Sequence, residues 1–170
     1  MSKLTWNDLT DAQRERAAAC VHEAGHAVMA VLAGTRITEC TVSGAEGVVR
    51  FDDQSYRTRA GIGWAGPYAE LLFVHGGEPS PEARADAFAA ASDEDRELMD
   101  GQMARRAESD VKFAMPAIRR LAATLYQHGS VRNLDVHLAL GVRTGVDIDT
   151  VRWAHRQRIA VESLRPAGVA

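Results

Sequence analysis

The sequence predicts a mainly α-helical fold with one small β-sheet (α+β). Three observations carry this. A long run from Asp11 to Ala33 is rich in Ala, Arg, Glu and apolar residues. A single short stretch, residues 36–51, alternates as strands do and holds a Gly-containing turn. Nearly everything after it shows helical spacing of apolar residues. The chain has 170 residues, 46% hydrophobic and 25% charged, which suits one globular domain. A core is expected over about 11–128, with a helical extension over about 129–170.

The first nine residues read as a polar lead-in without the apolar run of a signal peptide. Thr10 and Gln13 have the spacing of a capping box, and Gly34 follows the apolar run as a left-handed stop. The half of this helix after Ala17 is apolar nearly all round, so it is expected to be buried. RITECTV (36–42) and VVRF (48–51) read as two strands joined through SGAEG. DDQSYRTRAG (52–61) reads as a loop. GIGWAGPYAELLFVH (61–75) reads as a second helix ended by Gly76 and Gly77. Residues 78–95 suggest a surface excursion with a helical turn or two. From Ser92 to Gln127 the spacing is helical again, with Pro116 expected to kink or divide the run. A short segment, VRNLDVHLAL (131–140), and a last helix over 149–164 complete the chain, and the tail 165–170 is expected to fray.

A formal net charge of −3 argues against a broad nucleic-acid-binding face. The apolar stretch at 27–33 is too short to span a bilayer. Cys20 and Cys40, without a secretion signal, read as reduced thiols, so a soluble cytoplasmic protein is expected.

The chemistry concentrates in His22-Glu23-Ala24-Gly25-His26. Histidines four residues apart lie on one helix face, one turn apart, and can grip one cation. Glu23 is placed to take a proton from a water acidified by that cation. Three polar residues in the most apolar part of the chain each cost about 1–3 kcal/mol if left without partners, which favours a zinc site over a polar packing cluster. Ala24 and Gly25 are small enough to admit a packed neighbour.

AAACVHEAGHAVMAVLAG resembles the peptidase domain of the FtsH family of zinc metalloproteases. WAGPYAELLF resembles that family's small-residue segment ending in AAE, and the order of elements fits over roughly residues 11–125. The resemblance implies a zincin-like helical peptidase domain in which His22 and His26 bind Zn²⁺ and Glu23 is the catalytic base. It also implies an aspartate as third ligand, and a cleft lined by GVVRF (47–51). The chain departs from the family in carrying neither membrane helices nor a GxxxxGK loop. An ATP-independent peptidase acting on peptides or unfolded protein is therefore expected, with oligomerisation open. The alternative is a zinc-stabilised binding or regulatory domain without catalysis.

For the third ligand the candidates are Asp95, Asp93, Asp110 and Glu70. Asp95 has Met99 and Met103 four and eight positions on, whereas Asp93 has Glu97 and Gly101 there. Asp95 is preferred, with Asp93 the alternative, and Asp110 and Glu70 behind both. Glu70 then either hydrogen-bonds a ligand histidine or caps helix packing, and the second is favoured. His75, His128, His137 and His155 are expected to be surface or half-buried. Cys20 is expected to pack in the core. Trp64 and Tyr68 are core anchors or cleft residues.

Overall fold

The computed structural model describes residues 8–52 and 56–164. The expected polar lead-in lies mostly outside the described residues, as do the tail expected to fray and the middle of the expected 52–61 loop. Helix α1 spans Asp11–Leu32. Its capping box is formed: Thr10 Oγ1 accepts from the Gln13 N–H at 3.2 Å, and Gln13 Oε1 accepts from the Thr10 N–H at 2.8 Å. From Cys20 to Val31 every residue but His22 is buried. Gly34 follows with φ +101°, a conformation glycine adopts without strain.

Strands β1 (Ile37–Ser43) and β2 (Glu46–Phe51) form an antiparallel hairpin, with Cys40 opposite Val49 and Thr41 opposite Val48. Its turn is Gly44-Ala45, so β2 begins two residues before the expected VVRF. The free edge of β1 is covered by residues 129–131. The Val42 N–H donates to the Gly129 carbonyl at 2.8 Å, and the Val131 N–H to the Cys40 carbonyl at 3.0 Å. Among the described residues no strand pairs with the outer edge of β2.

Helix α2 (Tyr56–His75) starts five residues before the sequence suggests, within the expected loop. It crosses α1 at close range. A Cβ on Gly25 would sit 2.7 Å from the Ala65 carbonyl oxygen and 3.0 Å from Ala69 Cβ, so only glycine fits there. The surface excursion contains two real helices, α3 (Pro81–Ala90) and α4 (Asp93–Met99). Helix α5 (Glu108–His128) follows a single 3-10 turn at Arg105–Ala107. Pro116 neither ends nor divides α5. The break falls at Asp100, in the left-handed conformation with φ 51°.

Helices α6 (Asn133–Leu140) and α7 (Ile148–Arg156) close the fold. Helix α7 is shorter than expected, because Arg158 takes a positive φ of 57° and turns the chain away. A further 3-10 turn spans Val161–Ser163. Val136, Leu140, Val146 and Val151 join the core formed by α1, α2 and α5, so the expected extension is packed into the same interior. Trp64 and Tyr68 are fully buried core anchors. Among the described residues no helix is long and apolar enough to cross a membrane.

Candidate metal centre

Helix α1 presents His22 and His26 on one face, one turn apart. Their rings meet edge to face with centroids 4.8 Å apart, and the two Nε2 atoms lie 3.0 Å from each other. Each ring is fixed from behind by α2. His26 Nδ1 is 2.8 Å from the Ile62 carbonyl oxygen, and His22 Nδ1 is 2.9 Å from Glu70 Oε2. A carbonyl or carboxylate oxygen can only accept, so in both rings Nδ1 carries the donated proton. The Nε2 of each neutral ring then offers a lone pair, and the two lone pairs point into one small space. Oxygens behind ligand histidines orient the ring and raise its basicity in this way. Glu70 therefore hydrogen-bonds a histidine, and does not merely cap helix packing.

The fit of α2 against His26 has no slack. A Cβ on Gly66 would lie 2.2 Å from His26 Nε2, 2.6 Å from Cε1 and 2.7 Å from Cδ2. The small residues of this segment thus admit both the α1 backbone, at Ala65, and a ring, at Gly66.

The third group comes from α4. Ser92 caps this seven-residue helix, its Oγ accepting from the Asp95 N–H at 3.0 Å. Arg96 Nε donates to the Ala91 carbonyl at 2.8 Å, holding the start of α4 to the end of α3. Asp95 is 5% exposed, an unusual depth for an acid. Its Oδ1 is 2.9 Å from His26 Nε2, and its Oδ2 is 3.3 Å from His22 Nε2. Asp93 points to solvent, with Arg96 at 3.7 Å as its partner. Asp110 is bound to Arg158 at 2.6 Å. Of the candidate aspartates, only Asp95 is brought to the histidines. Met99 is fully buried as its spacing from Asp95 suggests, while Met103 lies past the end of α4.

Two imidazole nitrogens and a carboxylate oxygen are the ligand types of a divalent transition ion such as zinc. Tetrahedral ligands at zinc distances lie about 3.3 Å apart. The three separations here are 3.0, 2.9 and 3.3 Å, so small outward shifts suffice to hold such an ion. Among the described residues, His22, His26 and Asp95 are the one group with the geometry for a metal ion.

The electrostatics of the ion-free site point the same way. Burial works against a charged His22 ring, but the hydrogen bonds to Asp95 and Glu70 overcome it and push its pKa up to about 10. Burial also opposes the Asp95 charge, yet the two histidines hold that carboxyl well below the usual carboxylate range. Without an ion, one proton is drawn into the space between the three groups. Glu23 is different. Burial raises its carboxyl above the ordinary value, partly offset by the neighbouring histidines. Its side chain lies against β2, where a Cβ on Gly47 would come within 2.7 Å of Oε1.

A cleft of about 740 Å³ opens over these residues, the size of a ligand-binding site. Residues 47–51 of β2 line it, together with residues of α2, α3 and α4. His75 and His128 are exposed and His137 is half-buried, but His155 is buried against Phe113, with no hydrogen-bond partner for its Nε2. Cys20 and Cys40 are buried in the core, where burial pushes both thiols up, that of Cys20 to about 11 and that of Cys40 further.

No protein-family model matches the chain, and no curated protein is significantly similar to it. The chemistry of the site therefore rests on its own residues.

Proposed function

We propose that the chain is a zinc-dependent, ATP-independent peptidase. The observation that carries this reading is the convergence of His22 Nε2, His26 Nε2 and Asp95 on one point beside the buried carboxyl of Glu23. His22, His26 and Asp95 would hold the ion. Zinc in such a site acts as a Lewis acid that acidifies a water molecule and polarises a carbonyl group.

The chain's own residues supply the rest. Glu23, with its raised pKa, is suited to take a proton from water at one carboxylate oxygen and to release it to the departing amine nitrogen. Glu70 and the Ile62 carbonyl keep both Nδ1 atoms protonated, so each Nε2 stays available as a ligand. The exposed edge of β2 along the cleft suits an extended peptide, which gains main-chain hydrogen bonds there as an added strand.

A zinc-stabilised binding domain is the rival, and such structural sites enclose the metal with four protein ligands. The three-residue group beside an open cleft favours catalysis over that rival. Glu23→Gln decides between them. The variant is expected to keep wild-type zinc content and to lose cleavage of an unfolded protein substrate. Undiminished cleavage by this variant overturns the mechanism. Wild-type protein loaded with zinc but inert toward a broad peptide library favours the binding domain.

A further inference from the structure

The two ends of the cleft differ in chemistry. The face of α2 that lines it carries Arg59, Pro67, Glu70, Leu71 and Val74, a length of about 22 Å at the helical rise. The metal centre lies between, because Ile62, Gly66 and Glu70 all touch the two histidines. Toward its end α2 contributes the apolar Leu71 and Val74, and α3 adds Ala87 and Ala90 to the lining. Toward its start α2 contributes Arg59, and Phe51 and Leu98 also line the cleft.

Arg59 is in an unfavourable position for structure alone. It is close to the helix start, where the peptide dipoles favour an acid and disfavour a cation. The first turn of α2 holds no acid to offset it. Among the described residues its carboxylate partner is Glu97, which stands off at 3.9 Å and is 82% exposed, and loose surface pairs of this kind contribute little. Its Nε is buried without a hydrogen-bond partner. Arg50, the other cation of the cleft, is by contrast paired with Glu39. A guanidinium does not give up its charge, so Arg59 keeps an underused cation at the cleft wall.

We propose that Arg59 is a specificity residue that binds a carboxylate of the substrate. This rests on the peptidase reading of the site. Arg59 is about 10 Å along α2 from Gly66, and an extended peptide advances about 3.3 Å per residue. The recognised carboxylate is thus two or three residues from the scissile bond. It is either an Asp or Glu side chain or the free C-terminus of a short peptide. Glu97 competes for the same guanidinium, and Glu94 and Glu97 in the cleft lining disfavour runs of several acids.

The test uses zinc-loaded Glu23→Gln protein and three fluorescent peptides, read by anisotropy. One peptide has an internal Glu and an amidated end, one is neutral with a free C-terminus, and one is neutral and amidated. One of the first two is expected to bind about tenfold more tightly than the third, the gain of a charge-assisted pair. Adding Arg59→Ala should erase that difference, Arg59→Lys should keep part of it, and Glu97→Gln should enlarge it. Unchanged discrimination in the Arg59→Ala variant, with its melting curve intact, overturns the proposal. So does a weaker preference in Glu97→Gln. Wild-type cleavage of an unfolded protein separates the layers. Cleavage without an Arg59 effect removes only the specificity claim. An Arg59-dependent carboxylate preference without any cleavage removes the peptidase reading and leaves the binding site standing.

Discussion

Replacing Gly66 with alanine should separate the metal site from the fold. The new Cβ would meet His26 Nε2 at 2.2 Å, more than 1 Å inside the usual contact distance of about 3.5 Å. The ring has little room to yield, since His26 is 4% exposed and its Nδ1 is tied to Ile62. Relief requires the ring to move or α2 to back away from α1, and either change pulls Nε2 off its point of convergence with His22 and Asp95. Overpacking of this size costs about 1–3 kcal/mol. The better helix propensity of alanine returns about 1 kcal/mol. Stability of the ion-free protein should therefore fall by about 2 kcal/mol at most, whereas zinc affinity should fall at least about 100-fold, as for loss of ligand geometry. Competition with a chromophoric chelator gives the affinity, and urea unfolding of the ion-free protein gives the stability. Wild-type zinc affinity in Gly66→Ala would refute the placement of α2 against His26, and with it the assigned ligand geometry.

Other outcomes follow from the same geometry. Glu70→Ala removes the acceptor behind His22 and should weaken zinc binding about 10- to 100-fold with little change in fold, checked by the same chelator competition and by circular dichroism. Ser92→Ala removes the cap of α4 and should cost about 1 kcal/mol, read by urea unfolding, with a parallel loss of zinc affinity because Asp95 is held by that cap. The ion-free protein should show an alkaline loss of stability. The folded pKa of His22, about 10, lies above its ordinary 6.5, so its contribution is complete below pH 6.5 and is lost as pH rises through about 10. Asp95 is held below its ordinary value and acts oppositely, its contribution being lost on acidification. Melting temperatures of chelator-treated protein from about pH 3 to about pH 11 check both limbs. A flat profile for the wild type, or an unchanged slope in His22→Gln, counts against the assignment.

Much of the site could be read from the sequence because it is local. The spacing of His22 and His26, the Thr10–Gln13 cap and the Gly34 stop depend on neighbours within one or two turns. Asp95 was accessible through the burial of Met99 one turn further on, a periodic signal inside a single helix. Glu70 was misjudged because its role depends on how α2 crosses α1, which no local pattern records. The pairing of small residues at Gly25, Ala65 and Gly66 was the available signal. The start of α2 was missed because its first residues are polar and read as a loop. Pro116 does not divide the run because α5 buries Val111, Ala114, Ile118 and Leu121 on one continuous face, and that packing outweighs the lost hydrogen bond. The end of α7 has no glycine or proline to mark it, since the left-handed residue there is Arg158.

The three proposed ligands come from distant parts of the chain, with Asp95 about seventy positions after His26. A zinc ion joining them is a cross-link as well as a reagent. Closing a loop of that length in the unfolded chain corresponds to about 4 kcal/mol of chain entropy in a covalent link, a scale comparable with the whole stability of many domains. The segment between His26 and Asp95 holds α3 and the start of the short helix α4, both of which form part of the wall of the cleft. If zinc joins these residues, stripping it is expected to loosen that wall from the rest of the fold. Faster proteolytic nicking between residues 76 and 107 would report the change without any substrate.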